Sequence, residues 1–317
     1  MATVLTLGEC MALLDPMQDG PIDADSCFRL RVAGAESNFA IALRRLAVPV
    51  TWVSRVGRDA FGDLIVGTIA SEGVDVRHVK VHPSAPTGIY FKVREGGRSE
   101  VLYYRSGSAA STMAPGDVPE GAWDGVEVVH LTGITMAISP TARALAMETA
   151  RLARRHGATV IFDPNYRPAL WSGPKEAGAA YREVLPYTDW VLCGLEEGRT
   201  VFGVNDAEGL CALLRDSGAK GAAVRVGDRG AVVDDGGGPT TVAPEELETV
   251  VDEIGAGDAF AAGFAFGLLQ GWSPTDCVAV GNFVAAAALR GTGDWETCPR
   301  VGDLRPFLAR LGKSAPR

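Results

Sequence analysis

A chain of 317 residues with 47% hydrophobic content can bury a large core, as one large domain or one domain with an appendage. Its net charge of −9 argues against a nucleic-acid binder, which would carry a basic stripe, although local basic residues can still serve an anionic ligand. The six cysteines (10, 27, 193, 211, 277, 298) form no C-x-x-C and no disulfide-like spacing, so a reduced, cytoplasmic protein is expected, and no run reaches the ~18 apolar residues of a bilayer span.

The opening Met1-Ala2-Thr3-Val4-Leu5-Thr6-Leu7 has no basic leader and predicts a first strand over 4–7, not a signal peptide. Val32-Ala33-Gly34-Ala35-Glu36-Ser37-Asn38 is a glycine turn entering a helix over 37–46, where Ser37 and Asn38 can cap the helix or bind hydroxyls. A strand over 50–53 and a helix over 62–72 follow. His78 and His82 are four apart, but they flank a loop with no third ligand nearby, so zinc is not expected.

From 87 to 105 the pattern changes to a β-hairpin. Ile89, Phe91 and Val93 alternate with Tyr90, Lys92 and Arg94, and Gly96-Gly97 turns the chain. Counting outward from a two-residue loop, Glu95 faces Arg98 and Tyr90 faces Tyr103, with Arg105 two residues further along that face. Such a face suits an acidic or hydroxylated ligand; the alternative is an ordinary exposed face with a solvated arginine. Residues 15–32 are non-helical and could add strands to the hairpin, giving a lid built from about 15–32 and 87–112 beside a single catalytic domain spanning 1–317.

Next come a strand over 126–131 and a helix over 140–156 that Ser139 caps, Pro140 begins and Gly157 ends. A strand over 159–162 leads into Phe162-Asp163-Pro164-Asn165-Tyr166-Arg167-Pro168, which puts Arg167 at a carboxyl edge, to bind a ligand or to pair with Asp163. After a strand over 190–192, Glu196 and Glu197 could hold a Mg2+-bound water or simply favour a helix start. A helix over 206–217, strands over 222–226 and 231–233, and helices over 259–269 and 275–290 complete the chain. Alternation of this kind predicts an α/β fold with a mostly parallel sheet covered on both faces and ligands at the carboxyl ends of its strands.

Asp252-Glu253-Ile254-Gly255-Ala256-Gly257-Asp258 puts two glycines and a carboxylate at the mouth of an apolar helix. Glycine lets backbone N–H groups approach a ligand, and the first helical turn attracts an anion. A carboxylate there repels phosphate, which is reconciled if Asp258 takes a proton from a hydroxyl while the amides hold the phosphoryl group being attacked. The alternative is an N-capping Asp after a flexible turn. Other nucleotide motifs fail. Phe260 stands where a dinucleotide fingerprint starting at Gly255 needs glycine, and Phe307 replaces the leading glycine of a P-loop ending at Gly312-Lys313-Ser314. No kinase-type H-R-D or D-F-G is present.

The order of Gly34-Ala35-Glu36-Ser37-Asn38, Asp163-Pro164-Asn165-Tyr166-Arg167 and Gly255-Ala256-Gly257-Asp258 resembles the ribokinase (PfkB) family of sugar kinases over nearly the whole chain. Within it, the N-terminal Gly-Ala-Glu-Ser-Asn and Tyr103-Tyr104-Arg105-Ser106-Gly107-Ser108-Ala109-Ala110-Ser111 resemble 2-keto-3-deoxygluconate kinases. The resemblance implies a three-layer α/β/α sandwich with a small β-sheet lid, and ATP with Mg2+ as the phosphoryl-donor system. Asp258 would be the base, with Gly255, Ala256 and Gly257 as the anion hole. Gly34, Asn38, Tyr90, Tyr103, Arg105, Arg167 and Asp294 would contact a sugar acid. Asn165, Arg225, Gly227, Asp228, Gly230 and Asn282 would bind the nucleotide, and Glu197 would serve the metal. One departure stands out: the family's N-x-x-E reads Gly194-Leu195-Glu196-Glu197 here, with glycine in place of asparagine. The expected activity is phosphorylation of the terminal hydroxyl of a 2-keto-3-deoxy sugar acid, with a fructokinase-like hexose kinase or a silent sugar-acid sensor as alternatives. Neither nucleic acid nor membrane is expected as a partner; a homo-oligomer through the exposed lid edge is.

Overall fold

The computed structural model describes residues 3–95, 98–247, 249–251 and 254–314. Met1 and Ala2, the expected Gly96-Gly97 turn, and Asp252 and Glu253 of the late motif lie outside the described residues. The first half contains β1 (Thr3–Leu7), β2 (Met11–Pro16), β3 (Phe28–Ala33), α1 (Ala35–Arg45), β4 (Val50–Gly57), α2 (Ala60–Ser71), β5 (Val79–His82), β6 (Ile89–Glu95), β7 (Arg98–Tyr104), β8 (Val126–Thr132), α3 (Gly133–Ile138) and α4 (Pro140–His156). The second contains β9 (Thr159–Asp163), α5 (Pro174–Val184), β10 (Trp190–Gly194), α6 (Leu195–Phe202), α7 (Ala207–Asp216), β11 (Gly221–Arg225), β12 (Ala231–Asp234), β13 (Thr240–Val242), α8 (Ala256–Leu269), α9 (Pro274–Ala288) and α10 (Arg305–Arg310).

Successive residues of a strand point to opposite faces, and here both faces are apolar. Val4, Trp52, Val128, Ile161, Leu192 and Ala223 enter one core with α1, α8 and α9. Their neighbours Leu5, Val53, Val129, Phe162, Val191 and Val224 enter a second core with α4, α5 and α7. The sheet between the two has nine strands in the order β13-β12-β11-β10-β9-β8-β1-β4-β5. Its strands run parallel from β5 to β11, and β12 and β13 close it antiparallel. From β1 the chain goes to β4 on one side and returns to β8 on the other. The order therefore reverses at β1, where an open parallel sheet leaves a crevice at its carboxyl edge.

A second sheet has four strands, β3-β2-β6-β7. The hairpin has the counted register, with Glu95 opposite Arg98 and Tyr90 opposite Tyr103. This sheet starts at Met11, earlier than the expected 15, because Met11, Leu13, Ala33 and Tyr90 form its own small core. Ala110 and Met113, in contrast, pack into the main body. One face of the small sheet carries Asp15, Arg31, Arg94, Lys92, Tyr90 and Tyr103. The opposite face bears Phe28, Leu30, Phe91, Leu102 and Tyr104, of which Leu30 is 47% and Tyr104 62% exposed.

Several expected boundaries move. The strand placed over 222–226 runs one residue earlier, as β11. Helix α8 starts at Ala256, not 259, because Gly255 takes φ +84 and turns the chain directly into the helix. Asp258 thus lies inside the first turn. The segment between His78 and His82 is strand β5, which His82 ends, and not a loop. Strands β5 and β13 and helices α3, α5, α6 and α10 were not expected.

Candidate active site

The site grows from the first turn of α8. A Cβ on Gly255 would lie 2.0 Å from the carbonyl oxygen of Asp294, so that position needs glycine for space as well as for its positive φ. The N–H groups of Ala256, Gly257 and Asp258 are first-turn donors with no acceptor inside the helix. Asp258 is 8% exposed and held from two sides: Asn38 Nδ2 donates to Oδ2 at 2.8 Å, and Asn165 Nδ2 donates to Oδ1 at 3.2 Å. The Gly34 N–H donates to Asn38 Oδ1 at 3.4 Å, which turns the amide's NH2 toward Asp258. Asn165 sits at φ +42, a left-handed conformation that Asn tolerates better than most residues, and its N–H donates to Asp163 Oδ1 at 3.0 Å.

Burial raises the pKa of Asp258 to about 7, and the nearby charges of Asp163 and Asp294 add to this. The Asn38 hydrogen bond and Arg167 work in the opposite direction. A carboxylate poised there can accept a proton near neutral pH.

Behind the turn, Arg225 ends β11 and pairs with Asp163 at 3.3 Å, its guanidinium stacked over Phe260 at 5.5 Å. Burial opposes its charge, but Asp163 and Glu197 outweigh that effect and hold its pKa above the ordinary value. A Cβ on Gly257 would stand 3.5 Å from this guanidinium, an ordinary contact, so glycine at 257 is not needed for the fold itself. Asp163 is therefore taken by Arg225, not by Arg167. Arg167 is exposed at the rim, where its Nη1 donates to the carbonyl of Tyr166 at 3.4 Å.

Glu197 accepts the N–H groups of Gly194, at 3.2 Å, and of Tyr166. Burial, then the charge of Asp163, raises its pKa. It ties the β9 and β10 loops together. Among the described residues no group of three His, Cys, Asp or Glu side chains could hold a metal ion.

On the small-sheet side, Tyr90 and Tyr103 lie with ring centroids 5.6 Å apart, and Arg105 lies 5.7 Å over the Tyr103 ring. Arg105 forms a buried ion pair with Glu9, which sequence reasoning missed. Glu9 follows β1 at a carboxyl edge, so the rule that ligands gather there could have found it. Lys92 and Tyr90 both reach Asp294, at 3.0 and 3.3 Å. Glu36 of the early motif is fully buried and accepts from Thr132 and Thr135 at 2.5 and 2.6 Å, which anchors α1 to α3.

One cavity of about 500 Å³ brings together Gly34, Asn38, Tyr90, Tyr103, Arg105, Asn165, Arg167, Glu197, Arg225, Gly255, Gly257, Asp258 and Asp294, together with the unexpected Glu9, Met11 and Ile134. Ala256 lies in the same turn without lining it. Gly227, Asp228, Gly230 and Asn282 are outside this cavity. Gly227 and Gly230 have φ +66 and +86 in the short turn between β11 and β12, and Asn282 Nδ2 donates to the Ala243 carbonyl at 2.8 Å. Among the described residues no helix is long and apolar enough to cross a membrane.

Known proteins match this chain over almost their whole lengths. The 2-dehydro-3-deoxygluconokinase of Bacillus subtilis (strain 168) is 34% identical over 308 residues, covering 96% of this chain and 95% of that one. The enzyme of the same name from Thermoproteus tenax is 35% identical over 316 residues, covering 98% and 95%. A crystal structure of a putative ribokinase II from E. coli, in complex with ATP and Mg2+, superposes with a TM-score of 0.89 at 25% identity, covering 98% of this chain and 100% of that one. The ribokinase-like sandwich with its extra small sheet is therefore the fold. Residues 1–299 match the family described as pfkB family carbohydrate kinase, and the chain belongs to that family.

Proposed function

We propose that this sugar kinase transfers the γ-phosphoryl group of ATP to the terminal hydroxyl of 2-keto-3-deoxygluconate or a close 2-keto-3-deoxy sugar acid. The observation that carries the reading is Asp258, a buried carboxylate with a pKa of about 7, aligned by two asparagine amides in a first turn whose N–H groups have no acceptor inside the helix. The hydroxyl gives its proton to Asp258 as its oxygen bonds to phosphorus, and the bond from phosphorus to the bridging oxygen breaks to release ADP. The first-turn amides of Ala256, Gly257 and Asp258, with Arg225 behind them, stabilise charge on the phosphoryl oxygens. Gly34, Asn38, Tyr90, Tyr103, Arg105, Arg167 and Asp294 hold the sugar acid. Asn165, Arg225 and the turn at Gly227, Asp228 and Gly230 hold the nucleotide, with Asn282 toward its base. Among the described residues no carboxylate cage is offered, so Mg2+ would be held with the phosphates of the nucleotide and neutralise their charge, with Glu197 as the side chain that would serve it through water. Unpaired cysteines and the need for ATP support a cytoplasmic setting.

An ADP-release assay on 2-keto-3-deoxygluconate, 2-keto-3-deoxygalactonate and fructose tests the substrate. The acid sugars should exceed fructose by orders of magnitude in kcat/KM. Equal or better use of fructose would promote the fructokinase reading, and no ADP release with any of the three would favour the sensor.

The apolar outer face of the small sheet supports assembly of two copies through it. Sedimentation should give a dimer at micromolar concentration and a monomer for Leu30→Glu/Leu102→Glu; a monomeric parent would end that proposal.

A further inference from the structure

Lys92 is a charged residue in an unusual place. It lies on the inner face of β6 between Tyr90 and Arg94, with its side chain 1% exposed, and its ammonium meets Asp294 Oδ1 at 3.0 Å. Burying an ammonium and a carboxylate together adds little net stability, because desolvation offsets most of the attraction. What such a pair does supply is a fixed position for each partner.

Asp294 is where that position matters. Its carboxylate receives Lys92 and the Tyr90 hydroxyl from the small sheet, while its own carbonyl oxygen fills the space that a Cβ on Gly255 would need. Further contacts run the same way. Trp295 Nε1 donates to the Val32 carbonyl at 2.9 Å, and Arg31 pairs with Glu296. The segment around Asp294 is thus gripped by the small sheet on one side and seated against the N-cap of α8 on the other.

We infer that Lys92 is a positioning residue that couples the sugar side of the cavity to the phosphoryl side, by holding Asp294 so that the small sheet and the Gly255 turn keep one register. Contacts that a sugar makes with Tyr90 and Tyr103 are then transmitted through β6, Lys92 and Asp294 to the turn that presents the first-turn amides. Binding of sugar acid and of nucleotide should each favour the other, by the same factor in both directions. The inference rests on the sugar-acid kinase reading above.

The test measures binding, not turnover. The affinity of a non-hydrolysable ATP analogue with Mg2+ is determined by calorimetry with and without saturating 2-keto-3-deoxygluconate. In the parent protein the sugar acid should tighten the analogue by about 5- to 150-fold, the ordinary range of such coupling. In Lys92→Met the ratio should fall to within about twofold of one, with the analogue's affinity in the absence of sugar acid held within about threefold. Lys92→Arg, which keeps the charge, should restore most of the ratio; a purely structural role would move stability without abolishing the ratio. If Lys92→Met does not fold, Lys92→Gln keeps a donor toward Asp294 without the charge and carries the same expectation. A parental ratio in a folded Lys92→Met or Lys92→Gln overturns the inference, as does a ratio of one in a parent that binds both ligands. A parent that binds no sugar acid overturns the functional reading instead.

Discussion

Asp258→Asn is expected to lower kcat by about 10²- to 10⁴-fold, the usual contribution of a positioned general base, while leaving the fold and the affinity for ATP near those of the parent. The carboxylate is well aligned but costly to charge where it lies. Burial holds its pKa at about 7, so only the deprotonated fraction can accept the hydroxyl's proton. In the parent, kcat/KM should therefore rise with pH along a limb centred near 7 and then level off. The variant should lose that limb as well as most of the rate. The sign for stability is the opposite. A carboxyl whose folded pKa is raised contributes stability below its ordinary value near 4, and that contribution is lost as pH rises through about 7. Turnover within tenfold of the parent, or an unchanged limb, would remove Asp258 from the role of base.

Arg167→Ala is the second change with a large expected effect. An aldonic acid brings a carboxylate that wants a fixed cation, and Arg105 and Arg167 both line the cavity. They are not equivalent. Arg105 is already paired with the buried Glu9, so its removal would strand that carboxylate and weaken the fold by roughly 3–5 kcal/mol, blurring any effect on substrate. Arg167 stands at the rim, with Asp163 held by Arg225 instead, so its fork is open to a planar carboxylate. Truncating one partner of such a contact costs roughly 2–5 kcal/mol, and the exposure of Arg167 points to the lower figure, or about 30-fold. KM for the sugar acid should rise by about that factor, while KM for ATP stays within about threefold and use of a neutral hexose is unaffected. Equal increases for acid and neutral sugars would show that Arg167 reads something other than the carboxylate.

Much of the fold could be read because long-range order here follows from local patterns. Short runs rich in β-branched residues, such as those at 126–131 and 159–162, read as strands where they alternate with helical stretches, and the helix over 140–156 carries its cap, its first-turn proline and its terminal glycine. The hairpin register followed from loop length and alternation alone. What could not be read depends on tertiary neighbours. Strands β5 and β13 are short edge strands whose alternation, as in Val79-Lys80-Val81-His82, is too brief to separate from a loop. In the site, Gly34, Asn38 and Asp258 stood out because glycine turns at helix starts have a sequence signature. Lys92 and the Asp163–Arg225 pair had none: Asp163 and Arg225 are 62 residues apart and meet only because β9 and β11 flank β10. The preference of Asp163 for Arg225 over the adjacent Arg167 is a property of the sheet order, which no local pattern encodes.

The small sheet is made from two separate stretches of chain, β2–β3 and β6–β7, so the polypeptide crosses between it and the main body four times. Glycine lies close to each crossing, at Gly8, Gly34, Gly88 and Gly107. Among the described residues its buried cluster is Met11, Leu13, Ala33 and Tyr90, too little core for the sheet to stand alone, so it borrows its order from the body beneath it. Four tethers also prevent it from peeling away strand by strand, because freeing one strand would drag its neighbour through the hydrogen-bond ladder. The ceiling of the cavity is therefore one plate fastened at four points, and at three of them, Gly8, Gly34 and Gly88, an added Cβ would come within 2.6 Å of neighbouring atoms. A defect in that plate should be felt as loss of ligand grip long before the nine-stranded body notices it.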